Sequence, residues 1–187
     1  MGKSTTAGFF REAGVPVWDA DAAVHRIYAN DRGVAAEIGA LVPTAIRDGQ
    51  VQRPALRDAI ATDAGLLKRI EAIVHPRVAA DRAAFLAEAG DASLVVLDIP
   101  LLFETGGEAI VDAVLVVTAP AEVQRARVLA RPGMTEAQFK HILGRQVPDA
   151  EKRARADHVI DTSRGLDAAR ADVHDLIERL TGGTSDA

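Results

Sequence analysis

Two short, wholly apolar runs constrain the fold of this chain most strongly. Residues 94–97 read Leu-Val-Val-Leu, and residues 113–117 read Ala-Val-Leu-Val-Val. Continuous apolar runs of this length suit strands that are buried on both faces, as in a parallel sheet. Shorter runs at 15–18 and 158–160 alternate with helical patterns. We therefore predict an α/β domain in which helices cover a parallel sheet and connect its strands by right-handed crossovers.

Acidic residues stand at the ends of two of these predicted strands. Asp98 directly follows the first apolar run, and Asp19 and Asp21 follow the run at 15–18. Open α/β sheets bind ligands at the carboxyl ends of their strands, and a carboxylate directly after an apolar strand suits a Walker B position near Mg²⁺. Helix capping by Asp21, just before the helical stretch 22–29, explains one acid of the pair but not both.

The first residues of the chain carry the closing half of a phosphate-binding loop. Gly2-Lys3-Ser4 matches the end of the pattern G-x-x-x-x-G-K-[ST], in which backbone N–H groups and the lysine wrap nucleotide phosphates and the hydroxyl holds Mg²⁺. The tripeptide alone occurs often by chance, and the strand and half-loop that normally precede it are absent. We expect a start site assigned too late, at a methionine within the loop. An inactive truncation, or a fold that tolerates the loss, are the alternatives.

Composition excludes several other classes of protein. The chain has 187 residues, a formal net charge of −5 and no cysteine. A negative chain has no global basic field for nucleic acid, and without cysteine it forms neither disulfides nor thiolate metal sites. No apolar run approaches the ~18 residues of a membrane span. We expect a single-domain, cytoplasmic protein that binds neither nucleic acid nor membrane.

A basic segment, residues 125–155, interrupts this acidic chain with eight basic and three acidic residues. Its pattern at 135–138, Thr-Glu-Ala-Gln, is a capping box that starts a helix. The segment is either a solvated helical face or a cationic cover for a polyphosphate. An Arg-rich helical hairpin placed late in a parallel sheet resembles the lid of a small kinase, which excludes water and brings cations to the transferring phosphate.

Residues 31–90 are predicted to be mainly helical. Apolar residues from Leu66 to Val74 follow the spacing of an amphipathic helix. We expect His75-Pro76 to end or kink this helix, since proline lacks the N–H and disfavours helix in the residue before it, with a further helix over 77–89. His75 is either a ligand contact or a capping or packing residue.

Together these stretches resemble the dephospho-CoA kinase family. The resemblance covers nearly the whole chain, and its most specific parts are Asp-Ala-Asp at 19–21 and Asp-Ile-Pro-Leu-Leu-Phe-Glu at 98–104. The stretches that carry it, in the family's order, are Gly2-Lys3-Ser4-Thr5, residues 17–21 with His25, residues 73–76, residues 98–104, residues 124–131, and Arg145-Gln146 with residues 156–161.

The resemblance implies transfer of the γ-phosphoryl group of ATP to the ribose 3′-hydroxyl of dephospho-CoA, with Mg²⁺ as the metal. It implies a P-loop NTPase-type three-layer α/β/α parallel sheet with helical insertions, here without its first strand. We expect one domain over 1–187 that acts as a monomer. Its parts are a core (1–30, 91–124 and 156–181), a helical acceptor-binding region (31–90), a lid (125–155) and a frayed tail (182–187).

The resemblance also implies catalytic roles. Lys3 bridges the β- and γ-phosphates, Ser4 ligates Mg²⁺, and Asp98 is a further metal candidate. Asp21 orients the 3′-hydroxyl and accepts its proton. Arg131 closes over the γ-phosphate from the lid, with Arg127 as the alternative.

Binding roles follow by the same resemblance. The helix after Ser4, expected to begin near Thr5, aims its N-terminal dipole at the phosphates. The remaining ATP contacts are Gly2, Thr5, Arg127 and Arg145, with Arg125 as a weaker candidate. The acceptor side is formed by Asp19, Asp21, His75, Pro100, Leu101 and Leu102.

Two rival functions remain open at this point. Another small P-loop kinase, acting on a nucleoside monophosphate or a similar acceptor, shares most of these features. A non-catalytic homologue that keeps the fold is the second rival. One departure from the family is Arg131-Pro132, because the family more often has an acidic residue after this arginine.

Overall fold

The computed structural model describes residues 2–63 and 65–182, and therefore most of the chain. By their contacts these residues fall into two compact units, one of residues 2–17 with 92–182 and one of residues 18–63 with 65–91. Residues 183–187 of the predicted frayed tail lie outside the described part. The elements are α1 (Lys3–Glu12), β1 (Val17–Asp19), α2 (Ala20–Asn30), α3 (Arg32–Leu41), β2 (Ile46–Arg47), β3 (Gln50–Val51), α4 (Arg53–Thr62), α5 (Leu66–Ala89), β4 (Val96–Asp98), β5 (Leu115–Thr118), α6 (Ala121–Leu129), α7 (Glu136–Leu143), α8 (Asp149–Ala154), β6 (His158–Asp161) and α9 (Leu166–Thr181).

The first unit is built around strands that pack against α1 and α9. Strands β5 and β6 pair in parallel, in a register that sets Leu115 opposite His158 and Thr118 opposite Asp161. Parallel pairing of these two strands confirms the prediction from the apolar runs. The core beneath them is a cluster of buried side chains from α1, β6 and α9, namely Phe9, Phe10, Ile160, Ala169, Val173 and Leu176.

A second pair of strands, β1 and β4, is separate from the pair β5–β6. Strands β1 and β4 make a two-stranded sheet, and the N–H of Val96 donates to the carbonyl of Pro16 at 2.9 Å. Within the described residues, β4 and β5 each have a single strand neighbour. Strands β1, β4, β5 and β6 thus form two separate pairs among the described residues.

The second unit is helical. Helices α2 to α5 surround a small antiparallel hairpin, β2–β3, whose turn places Asp48 and Gly49 at positive φ (52° and 72°). Its core is a cluster of aliphatic side chains in which Val34, Ile38 and Ala45 are fully buried. This unit includes α2 as well as the helical region predicted for residues 31–90. None of the helices in the described residues is both long and apolar enough to cross a membrane.

Helix α5 corrects one prediction, because it runs without a break through His75 and Pro76 to Ala89. A proline inside a helix costs about 3 kcal/mol. Burial of Leu66, Ile70 and Val74 on the same helix stabilises it by roughly 1.5–3 kcal/mol for each side chain. Val78, two residues beyond the proline, packs against the same core. Packing on both sides of Pro76 therefore outweighs its local cost.

Candidate active site

The phosphate-loop tripeptide lies at the N-terminus of α1. Gly2 is the residue before the helix and has φ 91°, a backbone conformation that residues other than glycine rarely adopt. A Cβ atom added at Gly2 would also lie 3.2 Å from Cγ2 of Thr162. Both constraints favour glycine here. Helix α1 begins at Lys3 rather than near Thr5, so Lys3, Ser4 and Thr5 all stand in its first turn.

The N-terminus of α1 is open to a ligand. Among the contacts of residues 2–63 and 65–182, Thr6 is the first residue whose N–H bonds back into this turn, to the Gly2 carbonyl at 2.8 Å. Earlier N–H groups of a helix have no partner within it, and they carry the positive end of the helix dipole. Ser4 and Thr5 are exposed there. The turn can therefore offer backbone donors and a hydroxyl to an anion.

Lys3 forms an ion pair with Asp98, the last residue of β4. Asp98 is 6% exposed, whereas the lysine side chain is 41% exposed. A buried carboxylate is costly without a partner, and Lys3 supplies the opposite charge. The pair brings together two of the predicted site residues, a phosphate-binding cation and a metal candidate, at the N-terminus of one helix.

Arg127 of α6 is bound to the segment that follows β6. Its guanidinium donates to the hydroxyl and the carbonyl of Thr162 at 2.9 and 2.8 Å. The Thr162 hydroxyl in turn donates to the carbonyl of Thr118 at 3.1 Å. Because Thr162 also lies beside Gly2, the structure joins Arg127 to Gly2 through one threonine.

Thr162 was missed by the sequence analysis. The signal was present, since a hydroxyl directly after the predicted strand at 158–160 and its Asp161 stands at the carboxyl end of the sheet. Asp161 itself accepts from the N–H of Ser163 at 2.8 Å, and this bond lowers the pKa of its carboxyl group.

The other arginines of the basic segment differ in their surroundings. Arg125 forms a two-bond ion pair with Glu136 of α7 at 2.7 and 3.2 Å, which lowers the pKa of Glu136. Arg131 and Arg145 are exposed, and their guanidinium groups have no partner among residues 2–63 and 65–182. Arg125 thus links two helices of the hairpin, and Arg131 and Arg145 remain available to a ligand.

Asp19, the last residue of β1, and Asp21 belong to the helical unit and have different surroundings. Asp19 caps α2 and accepts from the N–H of Ala22 at 3.0 Å. The prediction that Asp21 caps this helix is wrong, because α2 begins at Ala20, two residues earlier than expected. Asp21 is exposed in the first turn, and its carboxylate has no partner within the described part of the chain. Capping therefore accounts for Asp19 and leaves Asp21 available for chemistry.

The predicted acceptor-side residues lie on two elements. Pro100, Leu101 and Leu102 follow β4 in an irregular loop in which Leu101 is 45% exposed. His75 lies on α5 of the helical unit and is exposed, so it neither caps nor breaks that helix.

The loop after β4 is held by an ion pair that the sequence analysis did not identify. Glu104 accepts from Nζ of Lys152 at 2.8 Å and from the N–H of Val147 at 2.9 Å. Burial opposes ionisation of Glu104, but these two donors outweigh it and lower the pKa of its carboxyl group. Lys152 is buried, and Arg155 lies over the ring of Phe103 at 4.6 Å. Helix α8 thus fixes the loop that carries Pro100, Leu101 and Leu102.

No cluster of three or more acidic, histidine or cysteine ligands occurs in the described residues. Mg²⁺ in nucleotide sites takes few protein ligands and relies on phosphate oxygens and water. The exposed hydroxyl of Ser4 and the carboxylate of Asp98 fit that kind of binding. Gly-Lys-Ser at a helix N-terminus, a buried aspartate at a strand end and an Arg-bearing hairpin are together typical of a phosphotransferase.

Known proteins agree with this class. A protein-family model described as dephospho-CoA kinase matches residues 1–168. A dephospho-CoA kinase from Cereibacter sphaeroides is 62% identical over 180 residues, which are 96% of this chain and 90% of that protein. One from Jannaschia sp. is 59% identical over 184 residues, covering 98% of this chain and 94% of the relative.

Solved structures are similar as well. A crystal structure from Thermus thermophilus matches with a TM-score of 0.83 and 36% identity, over 97% of this chain and 93% of that one. A dephospho-CoA kinase from Campylobacter jejuni has a TM-score of 0.72 at 22% identity over 97% and 92% of the two chains, and it supports the fold alone. The chain belongs to the dephospho-CoA kinase family and is, by that membership, a phosphotransferase.

Proposed function

We propose that this protein transfers the γ-phosphoryl group of ATP to the ribose 3′-hydroxyl of dephospho-CoA, giving CoA and ADP. The observation that carries the proposal is Lys3 beside Asp98 at the free N-terminus of α1. This arrangement supplies a mobile cation, a buried carboxylate and open backbone donors in one place. Family membership supports the choice of acceptor.

The nucleotide site is proposed to form around the first turn of α1. The N–H groups of this turn and the ammonium group of Lys3 bind the β- and γ-phosphates, with Gly2 and Thr5 in contact with them. Binding moves the Lys3 ammonium from Asp98 to the phosphates, because they carry more negative charge than a single carboxylate. Asp98 is then free to act, with Ser4, at the metal.

Ser4 and Asp98 would hold Mg²⁺, which would supply positive charge to neutralise the phosphates. The fit rests on an exposed hydroxyl and a carboxylate at the same helix terminus. The protein's own groups supply the positioning. Arg127, held by Thr162, and Arg145 contribute to nucleotide binding.

Asp21 is proposed as the group that orients the 3′-hydroxyl and takes its proton. Its carboxylate is exposed and unpaired in the described residues, whereas Asp19 is occupied as a helix cap. Asp19 then supports the acid pair by holding the start of α2. His75, Pro100, Leu101 and Leu102 contact the acceptor.

Arg131 is proposed to close over the γ-phosphate during transfer. It is exposed at the end of α6, next to Pro132 and Gly133, and its guanidinium has no partner in the described part of the hairpin. Arg127, the alternative, already makes two bonds to Thr162. In related chemistry such an arginine increases the rate by ~10³–10⁵. We place the enzyme in the cytoplasm as a monomer.

The test is an acceptor panel with the purified protein, ATP and Mg²⁺. We expect ADP formation that depends on dephospho-CoA and is absent with AMP or shikimate. Chelation of Mg²⁺ should abolish it. Turnover of AMP or shikimate without turnover of dephospho-CoA would contradict the proposed acceptor, and absence of ATP binding would favour a non-catalytic homologue.

A further inference from the structure

A single carboxylate oxygen of Asp81, on the second half of α5, binds two side chains of the helical unit. Its Oδ1 atom accepts from Nε1 of Trp18 and from Nη2 of Arg26, each at 2.7 Å. The indole ring is 3% exposed, whereas the carboxylate and the guanidinium reach solvent. A buried indole N–H requires an acceptor, and Asp81 provides it.

The two donors flank the acid pair in sequence. Trp18 immediately precedes Asp19, and Arg26 lies on α2, beyond Asp21. Asp81 therefore holds the turn from β1 into α2 on both sides of the residue proposed to accept the proton. The bond to Trp18 fixes the chain where the helix begins, and the bond to Arg26 fixes the helix further along.

The Asp19 cap also holds the start of α2. In its first turn Ala23 is the buried side chain, and alanine offers little area for packing. Asp21 itself is exposed and has no partner in the described residues. The direction of the Asp21 side chain thus depends on how the turn as a whole is held.

We propose that Asp81 is a positioning residue that sets the place of Asp21 through Trp18 and Arg26. The inference rests on the proposed function in one respect, the role of Asp21 in the reaction. Misplacement of a reacting group by about 1 Å can lower a rate by about 100-fold. Asp81 contacts neither ATP nor acceptor in this account, so its effect is confined to the transfer step.

Kinetics test the proposal through matched variants. Trp18→Phe keeps a buried ring and removes the N–H, and Asp81→Leu removes the acceptor. We expect each to lower kcat by about 10- to 100-fold with little change in KM for ATP. Because both act through one contact, the double variant should be no slower than the slower single variant. The control is Asp58→Asn, an exposed carboxylate of the same unit.

A second measurement does not require activity. The chain contains no cysteine, so the variant Asp21→Cys carries a single thiol for a nitroxide label. We expect a more mobile electron-spin resonance spectrum when Asp81→Leu is added, and no change when Asp58→Asn is added. Circular dichroism at the same temperature verifies that each variant remains folded.

The outcomes separate the two proposals. Reduced kcat together with a mobilised label supports the positioning role. An unchanged label, an unchanged kcat or additive losses in the double variant would each overturn it. If the parent protein does not phosphorylate dephospho-CoA, the proposed function fails. The label spectra then decide whether Asp81 orders the turn at Asp21.

Discussion

The ammonium group of Lys3 contacts the carboxylate of Asp98, which is almost wholly buried at the end of β4, while the lysine itself reaches solvent. This asymmetry suits a cation that exchanges partners. When a polyphosphate binds at the first turn of α1, the lysine can move towards the larger negative charge without disturbing the packing of the core. The aspartate remains where its strand places it.

Substitution of Lys3 tests this exchange. We expect Lys3→Met to weaken ATP binding and to lower kcat by at least about 100-fold, the loss typical of one electrostatic group in a preorganised site. Stability should also fall, since Asp98 loses its counter-charge, but by less than a fully buried pair would lose because Lys3 is partly solvated. Calorimetric ATP titration and steady-state kinetics measure both effects. Lys68→Met, an exposed lysine of α5, is the control and should change neither.

Asp19 and Asp21 should differ in role, since Asp19 contributes to stability and Asp21 to the reaction. Asp19→Ala removes a helix cap and should lower the free energy of unfolding by about 1 kcal/mol. Asp21→Asn should leave stability and ATP binding unchanged and abolish turnover, because it removes the proposed proton acceptor. Urea denaturation and kinetics of the two variants make the comparison. Near-normal turnover in Asp21→Asn would eliminate the proton-acceptor role.

The arginines of the basic segment offer a similar contrast. Arg131→Ala should lower kcat by about 10³-fold or more while ATP affinity changes little, because the contact forms at the transferring phosphate. Arg125→Ala removes an exposed ion pair with Glu136, which is screened by solvent and contributes little, and should leave kcat nearly unchanged. If both variants show equal, small effects, Arg131 belongs to a solvated helical face.

The Glu104–Lys152 pair predicts a pH dependence of stability. The pKa of Glu104 is lowered in the folded protein, so the stabilisation is present above its unfolded value of about 4.3 and is lost as the pH falls through the folded value. Lys152→Met leaves the carboxylate in a largely buried site without its cation, at a cost of about 3 kcal/mol at neutral pH. The variant should also lose less additional stability than the parent protein between about pH 5 and about pH 3, the range around the unfolded pKa of a glutamate.

Denaturant unfolding over that acid range measures the effect. Arg153→Met is the control, because its pair with Asp149 lies on the exposed face of the same helix at 2.9 Å. That substitution should change stability by about 0.5 kcal/mol or less at any of these pH values. Equal pH profiles for the parent protein and Lys152→Met would show that the pair does not contribute to stability.

The parts of the fold that follow from local patterns were predictable. Parallel pairing of β5 with β6 follows from two apolar runs, and the start of α7 follows from the capping box at Thr135 and Gln138, whose reciprocal bonds are present. Asp98 was predicted at a strand end and is buried there. The capping box depends on residues close in sequence, and the strands and Asp98 depend on runs of apolar residues that favour burial.

Features that depend on distant partners were not predictable in the same way. The continuity of α5 through Pro76 is decided by packing of Val74 and Val78 against other helices. The choice of Asp19 over Asp21 as the cap depends on where α2 begins. The ion pair between Glu104 and Lys152 joins residues 48 positions apart, counted from their sequence numbers, and no periodicity encodes such a partner.

The most direct test of the central claim is the identity of the product and its dependence on Asp21. The purified protein is incubated with ATP, Mg²⁺ and dephospho-CoA, and phosphorus nuclear magnetic resonance locates the new phosphate. We predict a phosphomonoester on the ribose 3′-oxygen, formed by the parent protein and not by Asp21→Asn. A phosphate at another position, or equal product from Asp21→Asn, would contradict the account.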